Sequence, residues 1–269
     1  MFNNVSWKGA VFTFAGAVEH HAGMKISGKK RNPLTTDELK IISAKFPNEN
    51  VKLIEIGKDY NIKDASVLLI KDGLKFINGC NSDNLWDNVK KLGTNGVDTK
   101  ALIRGRVVNK RARFNFNVMD TEETADYKNG VGTTYKFTKF PNLVIIRNFI
   151  SSLLENKRLE NLNAESNIYH SDDSGIGFHG DTERGIVIGI NLGKERKIEW
   201  QVFEKYLPKG DRLTLTLNHG DMYFMTGNSA GINWKKSSIP TIRHRAGYKK
   251  WLERDEKQNQ KKWNKRLNK

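Results

Sequence analysis

The stretch His179-Gly-Asp-Thr-Glu-Arg-Gly-Ile-Val-Ile-Gly-Ile-Asn-Leu192 joins a candidate metal-binding tripeptide to a run of β-forming residues. Residues i and i+2 of a β-strand lie on the same face, so the imidazole of His179 and the carboxylate of Asp181 can reach one metal ion. The chain has six histidines, and His244 ends an extended stretch, Thr241-Ile-Arg-His-Arg245. These residues predict a metal site of two histidines and one carboxylate.

Several strand-like segments lie between Asp181 and His244. They are rich in β-branched or aromatic residues and are bounded by Gly, Asn, Asp or Pro. The segments are Gly185–Leu192, Lys197–Phe203, Arg212–Leu217 and Met222–Met225. Four strands are enough for a jelly roll, also called a double-stranded β-helix, to bring its two ends together at one metal. The pattern therefore predicts a mainly β jelly-roll domain.

The same tripeptide occurs a second time, as His219-Gly220-Asp221. Only 24 residues separate this histidine from His244, which leaves room for about one strand of five or six residues and a loop. Asn218-His-Gly-Asp221 lies between two predicted strands, and Gly and Asp are typical turn residues. We therefore expect a turn here and no metal ligand.

The remaining segments predict two domains in an α+β, mainly β chain. For residues 1–97 we expect a small α/β domain, with strands at Val11–Phe14, Val51–Ile56 and Ser66–Ile70 and helices from Thr35 or Thr36 to Phe46 and from Ser82 to Leu92. The linker is Gly93-Thr-Asn-Gly96. For residues 98–269 we expect strands within Arg106–Phe116 and Thr133–Phe137, a helix at Pro141–Leu154, the jelly roll and a basic C-terminal tail.

The charge is unevenly distributed. The net charge is +16, and residues 243–269 contain eleven Lys or Arg against three acidic residues, with Trp251 and Trp263 among them. Basic groups attract phosphates and aromatic faces stack on bases, so the tail favours contact with DNA or RNA. The alternative is a solubilising tail whose tryptophans pack on the domain. A second basic stretch, Arg104–Arg113, has the alternation of a strand pair and can line a binding groove.

Composition also limits the class of protein. No stretch approaches the roughly 20 apolar residues of a transmembrane helix, and the first residues show no signal-peptide pattern. Cys80 is the single cysteine, which excludes an intramolecular disulfide and a cysteine-built zinc site. We expect a soluble, intracellular protein that has no membrane contact.

Several motifs, taken in order, resemble the Fe(II)/2-oxoglutarate-dependent dioxygenases, and their closest similarity is to the AlkB-type branch. They are Asn167-Ile-Tyr169, His179-Gly-Asp181, Ile190-Asn-Leu-Gly193, Leu215-Thr-Leu-Asn-His-Gly-Asp221, Met225-Thr-Gly227 and His244, and the resemblance covers roughly residues 105–255. It implies Fe(II) bound by His179, Asp181 and His244.

The resemblance also implies 2-oxoglutarate as cosubstrate, in contact with Asn167 and Tyr169. A basic residue after the last iron ligand would pair with its distal carboxylate. Arg254 has the expected spacing for this role, and the alternatives are Arg243, Arg245 and Lys250.

The activity that the resemblance implies is oxidation of nucleic-acid bases, by demethylation or hydroxylation. A base in a duplex must be flipped to reach a buried iron, whereas a single strand presents a smaller obstacle. Two alternatives stay open. One is a hydroxylase of protein side chains, such as a prolyl hydroxylase, and the other is a non-enzymatic nucleic-acid-binding module.

Overall fold

The computed structural model describes residues 6–268, which contain 16 β-strands and four α-helices. The helices are α1 (Thr36–Ser43), α2 (Ser82–Lys91), α3 (Pro141–Ser152) and α4 (Lys249–Leu267). The first eight strands are β1 (Gly9–Ala15), β2 (Ala17–Glu19), β3 (Ile26–Gly28), β4 (Val51–Glu55), β5 (Ser66–Ile70), β6 (Lys100–Ile103), β7 (Arg106–Asn109) and β8 (Phe114–Met119). The others are β9 (Thr134–Lys136), β10 (Asn163–Tyr169), β11 (Gly175–His179), β12 (Val187–Gly193), β13 (Arg196–Glu204), β14 (Leu207–Leu217), β15 (Met222–Met225) and β16 (Thr241–Gly247).

The first three helices begin at residues that suit a first turn, whose N–H groups have no partner within the helix. Thr35 caps α1 through a capping box with Glu38, and the side chain of Asn81 accepts from the backbone of the first turn of α2. In α3, Pro141 stands at the first position, where its missing N–H has no cost. These helices confirm the sequence prediction to within a few residues at their ends.

The strands form two main sheets and two separate hairpins. The larger sheet has the order β4-β5-β15-β12-β1-β10-β8-β9, and the smaller has the order β11-β16-β13-β14. All pairs in both sheets are antiparallel except β8 with β9. The hairpins are β2-β3 and β6-β7. The predicted mixed α+β, strand-rich class is confirmed.

The β13-β14 hairpin is longer than the sequence predicts. Strand β14 starts at Leu207, five residues before the predicted start at Arg212. The turn consists of Lys205 and Tyr206, both with positive φ, at 49° and 66°. A two-residue hairpin turn requires this backbone, which Asn-Gly or Asp-Gly normally supplies. Lys-Tyr carries no such signal, so the turn was not recognisable from composition.

The larger sheet is buried on both faces. One face packs on α1, α2 and α3, and the other packs on the smaller sheet. The two faces carry separate hydrophobic clusters, a helix-side cluster and a cluster between the sheets. Strand β12 alternates between them: Ile188 and Ile190 belong to the helix-side cluster, whereas Val187 belongs to the cluster between the sheets. Burial of each such side chain contributes about 1.5–3 kcal/mol. The space between the two sheets also contains the cavity described below.

Strands from both predicted domains share the larger sheet. Strands β1, β4 and β5 come from residues 1–97, and β1 lies directly between β10 and β12. The helix-side cluster likewise contains residues from both parts of the chain. The predicted boundary at residue 97 therefore does not coincide with a division of this sheet or of its core. The boundary fails because β1 pairs with β10 and β12, two strands that are distant from it in sequence.

The basic tail forms α4, which packs on the smaller sheet. Trp251 and Trp263 are 6% and 8% exposed, and Trp263 lies 6.1 Å from Phe203, between ring centroids. These rings pack on the domain, so their predicted stacking on bases is wrong and the packing alternative is confirmed. Among residues 6–268, no helix is both long and apolar enough to cross a membrane.

Candidate metal centre

His179, Asp181 and His244 converge at one point of the structure. His179 ends β11 and pairs directly with His244 of β16 across the antiparallel ladder. The Nε2 atoms of His179 and His244 lie 3.7 and 3.6 Å from the carboxylate oxygens of Asp181. One potential ligand atom from each residue lies within 4.8 Å of the others. The structure thus brings together the three residues that the sequence singled out.

Gly180, between His179 and Asp181, allows a close backbone approach. A Cβ atom there would lie 2.2 Å from the carbonyl oxygen of Gly231 and 2.5 Å from a ring carbon of Trp234. The loop that follows β15 therefore packs directly on the tripeptide, and Asp181 N donates to the carbonyl of Ala230 at 2.8 Å. A larger residue at position 180 would displace His179 and Asp181 on either side.

Hydrogen bonds orient the candidate ligands. His179 Nδ1 lies 2.8 Å from the carbonyl oxygen of Gly177, and donation to this oxygen leaves the Nε2 lone pair free for a metal. Arg184 Nε lies 3.3 Å from Asp181 Oδ1, and Arg184 Nη2 donates to Glu165 at 2.5 Å. The guanidinium thus forms ion pairs with three carboxylates, those of Asp181, Glu165 and Glu183.

The protonation states suit a metal site. Burial lowers the pKa of His244 to about 3, and His179 contributes in the same direction. Burial also lowers the pKa of His179. For Asp181, burial acts to raise the pKa, but Arg184 and the two histidines hold it below its usual value. Neutral imidazoles and an ionised carboxylate are the forms that bind metals.

The three residues line a cavity of about 530 Å³ between the two sheets. Asn167 and Tyr169, predicted to contact 2-oxoglutarate, also line it. The amide of Asn167 is engaged on both sides, because its oxygen accepts from Arg113 at 2.5 Å and its nitrogen donates to Glu165 at 3.1 Å. Of the predicted pair, Tyr169 thus has the less constrained polar group.

Arg196, which the sequence reasoning missed, lies inside this cavity. It is 3% exposed, donates through Nε to Asn191 at 2.9 Å and through Nη1 to the Tyr169 hydroxyl at 3.3 Å, and lies over the Tyr169 ring. No carboxylate of residues 6–268 forms an ion pair with it. A signal was available, because Arg196 is two residues before the buried Ile198 and therefore on the inward face of β13.

Arg254, in contrast, does not line the cavity. It lies on α4 with its side chain 48% exposed and pairs with Asp173. It therefore lies outside the cavity in which its predicted contact with 2-oxoglutarate would be made, because α4 covers the outer face of the smaller sheet.

The three alternatives to Arg254 also lie outside the cavity lining. Arg243 and Arg245 flank His244, and adjacent residues of a strand point to opposite faces. Arg245 forms ion pairs with Glu199, Asp255 and Glu256 on the outer face, and Lys250 is exposed on α4.

The Arg104–Arg113 stretch forms a strand pair in part, as predicted: β7 is fully exposed and pairs with β6. Its basic residues have different environments. Arg113 lines the cavity, whereas burial lowers the pKa of Lys110 to about 8 and its ammonium donates to Asn115. Only part of the stretch therefore faces the groove that the sequence suggested.

No model of a known protein family matches the chain. It is 38% identical over 253 residues to uncharacterized protein R156 of Acanthamoeba polyphaga mimivirus, and the match covers 89% of this chain and 96% of the viral protein. Identity and coverage of this extent show common descent along nearly the whole length of both proteins. The chain belongs to the same family as this mimivirus protein.

Proposed function

We propose that this protein is an Fe(II)- and 2-oxoglutarate-dependent dioxygenase that oxidises bases of nucleic acids. The observation that carries the proposal is the cavity between the sheets. Its wall contains the His179, Asp181 and His244 cluster together with Arg196, a buried cation that has no carboxylate partner among residues 6–268. Together they fit a metal and a dicarboxylate cosubstrate in one space.

The donor set fits Fe(II). Two imidazoles and one carboxylate on one side of an ion leave its other positions open, which is the arrangement of non-haem Fe(II) oxygenases. Iron held there would supply the coupled oxidation of 2-oxoglutarate and a substrate C–H bond by O₂, which gives succinate, CO₂ and a C–OH group. Hydroxylation of an N-methyl group releases formaldehyde and leaves the nitrogen demethylated.

The path of the chain supports a jelly roll around this site. From β10 to β16 the chain passes repeatedly between the two sheets: β10, β12 and β15 lie in the larger sheet, and β11, β13, β14 and β16 lie in the smaller. Such crossing places residues far apart in sequence at facing positions. His179 and Asp181 can meet His244 for this reason.

Arg196 fits the distal carboxylate of 2-oxoglutarate. A buried guanidinium without a counter-charge is costly, and a carboxylate that accepts two parallel N–H bonds would offset that cost. The hydroxyl of Tyr169 already accepts from Arg196, and Tyr223 lines the same cavity beside them. In this proposal Arg196 takes the role that the sequence assigned to Arg254, and Tyr169 keeps its predicted role.

Two features favour a nucleic-acid base as substrate. The protein carries a net charge of +16, which attracts phosphates. The carboxylates of Glu19 and Glu183 line the cavity and can accept hydrogen bonds from base amino groups. A prolyl side chain has no hydrogen-bond donor, so a prolyl hydroxylase is the weaker candidate.

The test is succinate formation from isotopically labelled 2-oxoglutarate by the full-length protein, with and without Fe(II). We expect iron-dependent succinate that increases with a methylated oligonucleotide and not with a mixture of peptides that contains all amino acids, and mass spectrometry should detect loss of the methyl group. Stimulation by peptides alone would favour the side-chain hydroxylase. Complete absence of succinate in the presence of Fe(II) would favour the non-enzymatic module.

A further inference from the structure

A second cavity, of about 430 Å³, lies on the outer face of the smaller sheet. Phe178 and Arg243 line it, and they directly precede His179 and His244. Because adjacent residues of a strand point to opposite faces, this cavity lies behind the candidate metal centre. The C-terminal half of α4 closes its other side.

Four cations and no acidic residue line this second cavity within residues 6–268. Arg243 comes from β16, and Lys262, Lys265 and Arg266 come from α4. None of the four forms an ion pair with a carboxylate of the described chain. The guanidinium groups of Arg243 and Arg266 lie 5.4 and 4.9 Å from the same ring, that of Tyr206. Two arginines therefore share one aromatic ring and lack a counter-charge.

Arg243 has free hydrogen-bonding capacity. Its Nε and Nη2 atoms are buried and have no hydrogen-bond partner within residues 6–268. A buried donor without an acceptor costs roughly 1–3 kcal/mol, and more for a charged group. An anion in this cavity would accept from these atoms and would reduce the repulsion between Arg243 and Arg266.

Two neighbouring arginines on the same sheet face show that this lack of acids is local. Arg245 pairs with Glu199, Asp255 and Glu256 at 2.7–2.9 Å, and Arg212 pairs with Glu256 at 2.9 Å. Carboxylates thus neutralise the arginines beneath the first half of α4. Every charged residue that the second half of the same helix contributes to the cavity is a cation.

Residues that line the two cavities contact each other. Trp234 and Lys235 line the cavity of the metal centre. The Arg243 guanidinium lies 5.5 Å from the Trp234 ring, and the Tyr206 hydroxyl donates to the Lys235 carbonyl at 2.9 Å. An extended ligand that occupies the second cavity can therefore continue past Trp234 toward the metal centre.

We propose that the second cavity binds the phosphate groups of a single-stranded nucleic acid whose chain continues past Trp234 into the cavity of the metal centre. Guanidinium groups match phosphate oxygens in geometry and charge. The partly exposed rings of Phe178 and Tyr206 provide faces for base stacking, which a strand requires and an isolated phosphate does not. The binding site stands on these interactions alone, whereas the continuation to the metal centre rests on the proposed function.

The test compares two triple variants of α4, each of which removes three positive charges. The cavity variant is Lys262→Gln, Lys265→Gln and Arg266→Gln, and the control variant is Lys249→Gln, Lys250→Gln and Lys257→Gln. All six residues are exposed, so both variants should fold, which circular dichroism can verify. Fluorescence anisotropy then gives the Kd for a labelled single-stranded oligonucleotide over a range of salt concentrations, in the absence of metal.

We expect the cavity variant to bind the oligonucleotide about fivefold more weakly near 0.1 M salt for each phosphate that it no longer neutralises. The logarithmic salt slope should fall by about 0.7 per phosphate. The control variant should change much less. Equal weakening in the two variants would overturn the proposal, because it would show only a general effect of charge. Binding of a mononucleotide or of polyglutamate as tight as that of the oligonucleotide would overturn it too.

This experiment is independent of the iron chemistry. If the cavity variant alone has reduced affinity while the wild-type protein forms no succinate, the phosphate site stands and the proposed dioxygenase fails. If succinate forms but the two triple variants bind equally, the dioxygenase stands and the phosphate site fails.

Discussion

The tripeptide His-Gly-Asp occurs twice in this chain, and the two copies have different structural roles. In the first copy, His179 and Asp181 face His244 at the wall of a cavity. In the second copy, Asp221 accepts from the backbone N–H groups of Asn218 and Asp72, at 2.7 and 2.8 Å. His219 accepts from the backbone of Gly193 at 2.9 Å.

The difference comes from the position of each copy relative to the sheets. The first copy ends β11, whose neighbour β16 places His244 directly opposite His179. The second copy forms the turn between β14 and β15, where Gly220 has a φ of 87°. Within residues 6–268, the metal-like cluster includes neither His219 nor Asp221. The predicted turn is confirmed, and identical residues acquire a candidate chemical role only where a neighbouring strand supplies the third ligand.

The largest expected effect separates the two copies by metal affinity. His179→Ala should weaken binding of Mn(II), a redox-stable substitute for Fe(II), by more than about 100-fold, because loss of a ligand exceeds the 10–100-fold effect of losing an outer-shell partner. His219→Ala should bind Mn(II) like the wild type. Isothermal titration calorimetry measures both. Equal weakening by the two substitutions would contradict the assignment of the first copy.

The next largest effect concerns binding of 2-oxoglutarate, for which the cavity beside the first copy is compared with the outer helix α4. Arg196→Gln should raise the 2-oxoglutarate concentration required for half-maximal succinate formation by about 10–100-fold, since a hydrogen bond to a charged group contributes about 1.5–3 kcal/mol. Arg254→Gln, on the outer helix, should leave it unchanged. Steady-state kinetics with both variants tests the pair. An effect of Arg254→Gln alone would restore the assignment made from the sequence.

For stability, the second copy should matter more than the first. Asp221→Ala should lower the free energy of unfolding by about 2–3 kcal/mol, because two backbone N–H groups lose their acceptor. In metal-free protein, Asp181→Ala should cost less, since Arg184 keeps its bond to Glu165. Urea denaturation of the two variants gives the comparison. A greater loss for Asp181→Ala would mean that the first copy stabilises the fold as well.

The sequence was informative where side-chain directions follow from strand alternation. The spacing of His179 and Asp181 predicts that they share a face, and the same alternation could have excluded Arg243 and Arg245 as partners in the cavity. Alternation also predicts that Arg196 faces inward, but only if β13 is known to start at Arg196 rather than at Lys197. Strand alternation thus predicts more of the residues that face the cavity than motif spacing does.

Other features depend on long-range pairing, which local patterns do not encode. The insertion of β1 between β10 and β12 joins the two predicted domains into one sheet, and no periodicity in residues 9–15 indicates those partners. The burial of Trp251 likewise depends on Gly175, where a Cβ would lie 2.2 Å from the indole ring. A helix rich in charge therefore packs closely against the sheet through a few apolar side chains.

The smallest expected effect is on the pH dependence of the free energy of unfolding. It depends on His244, the third residue that only the first copy has beside it. Burial lowers its pKa to about 3, against an ordinary value near 6.5. Below pH 6.5 the unfolded chain therefore binds a proton that the folded chain does not, and stability is lost as the pH falls toward 3. The contribution is about 1 kcal/mol per pH unit between pH 6 and 5.

His244→Gln should reduce the pH slope of the unfolding free energy by this amount in metal-free protein, as urea denaturation at several pH values can show. Identical slopes would mean that His244 is more hydrated than its burial indicates, and would weaken the case for a dry metal site.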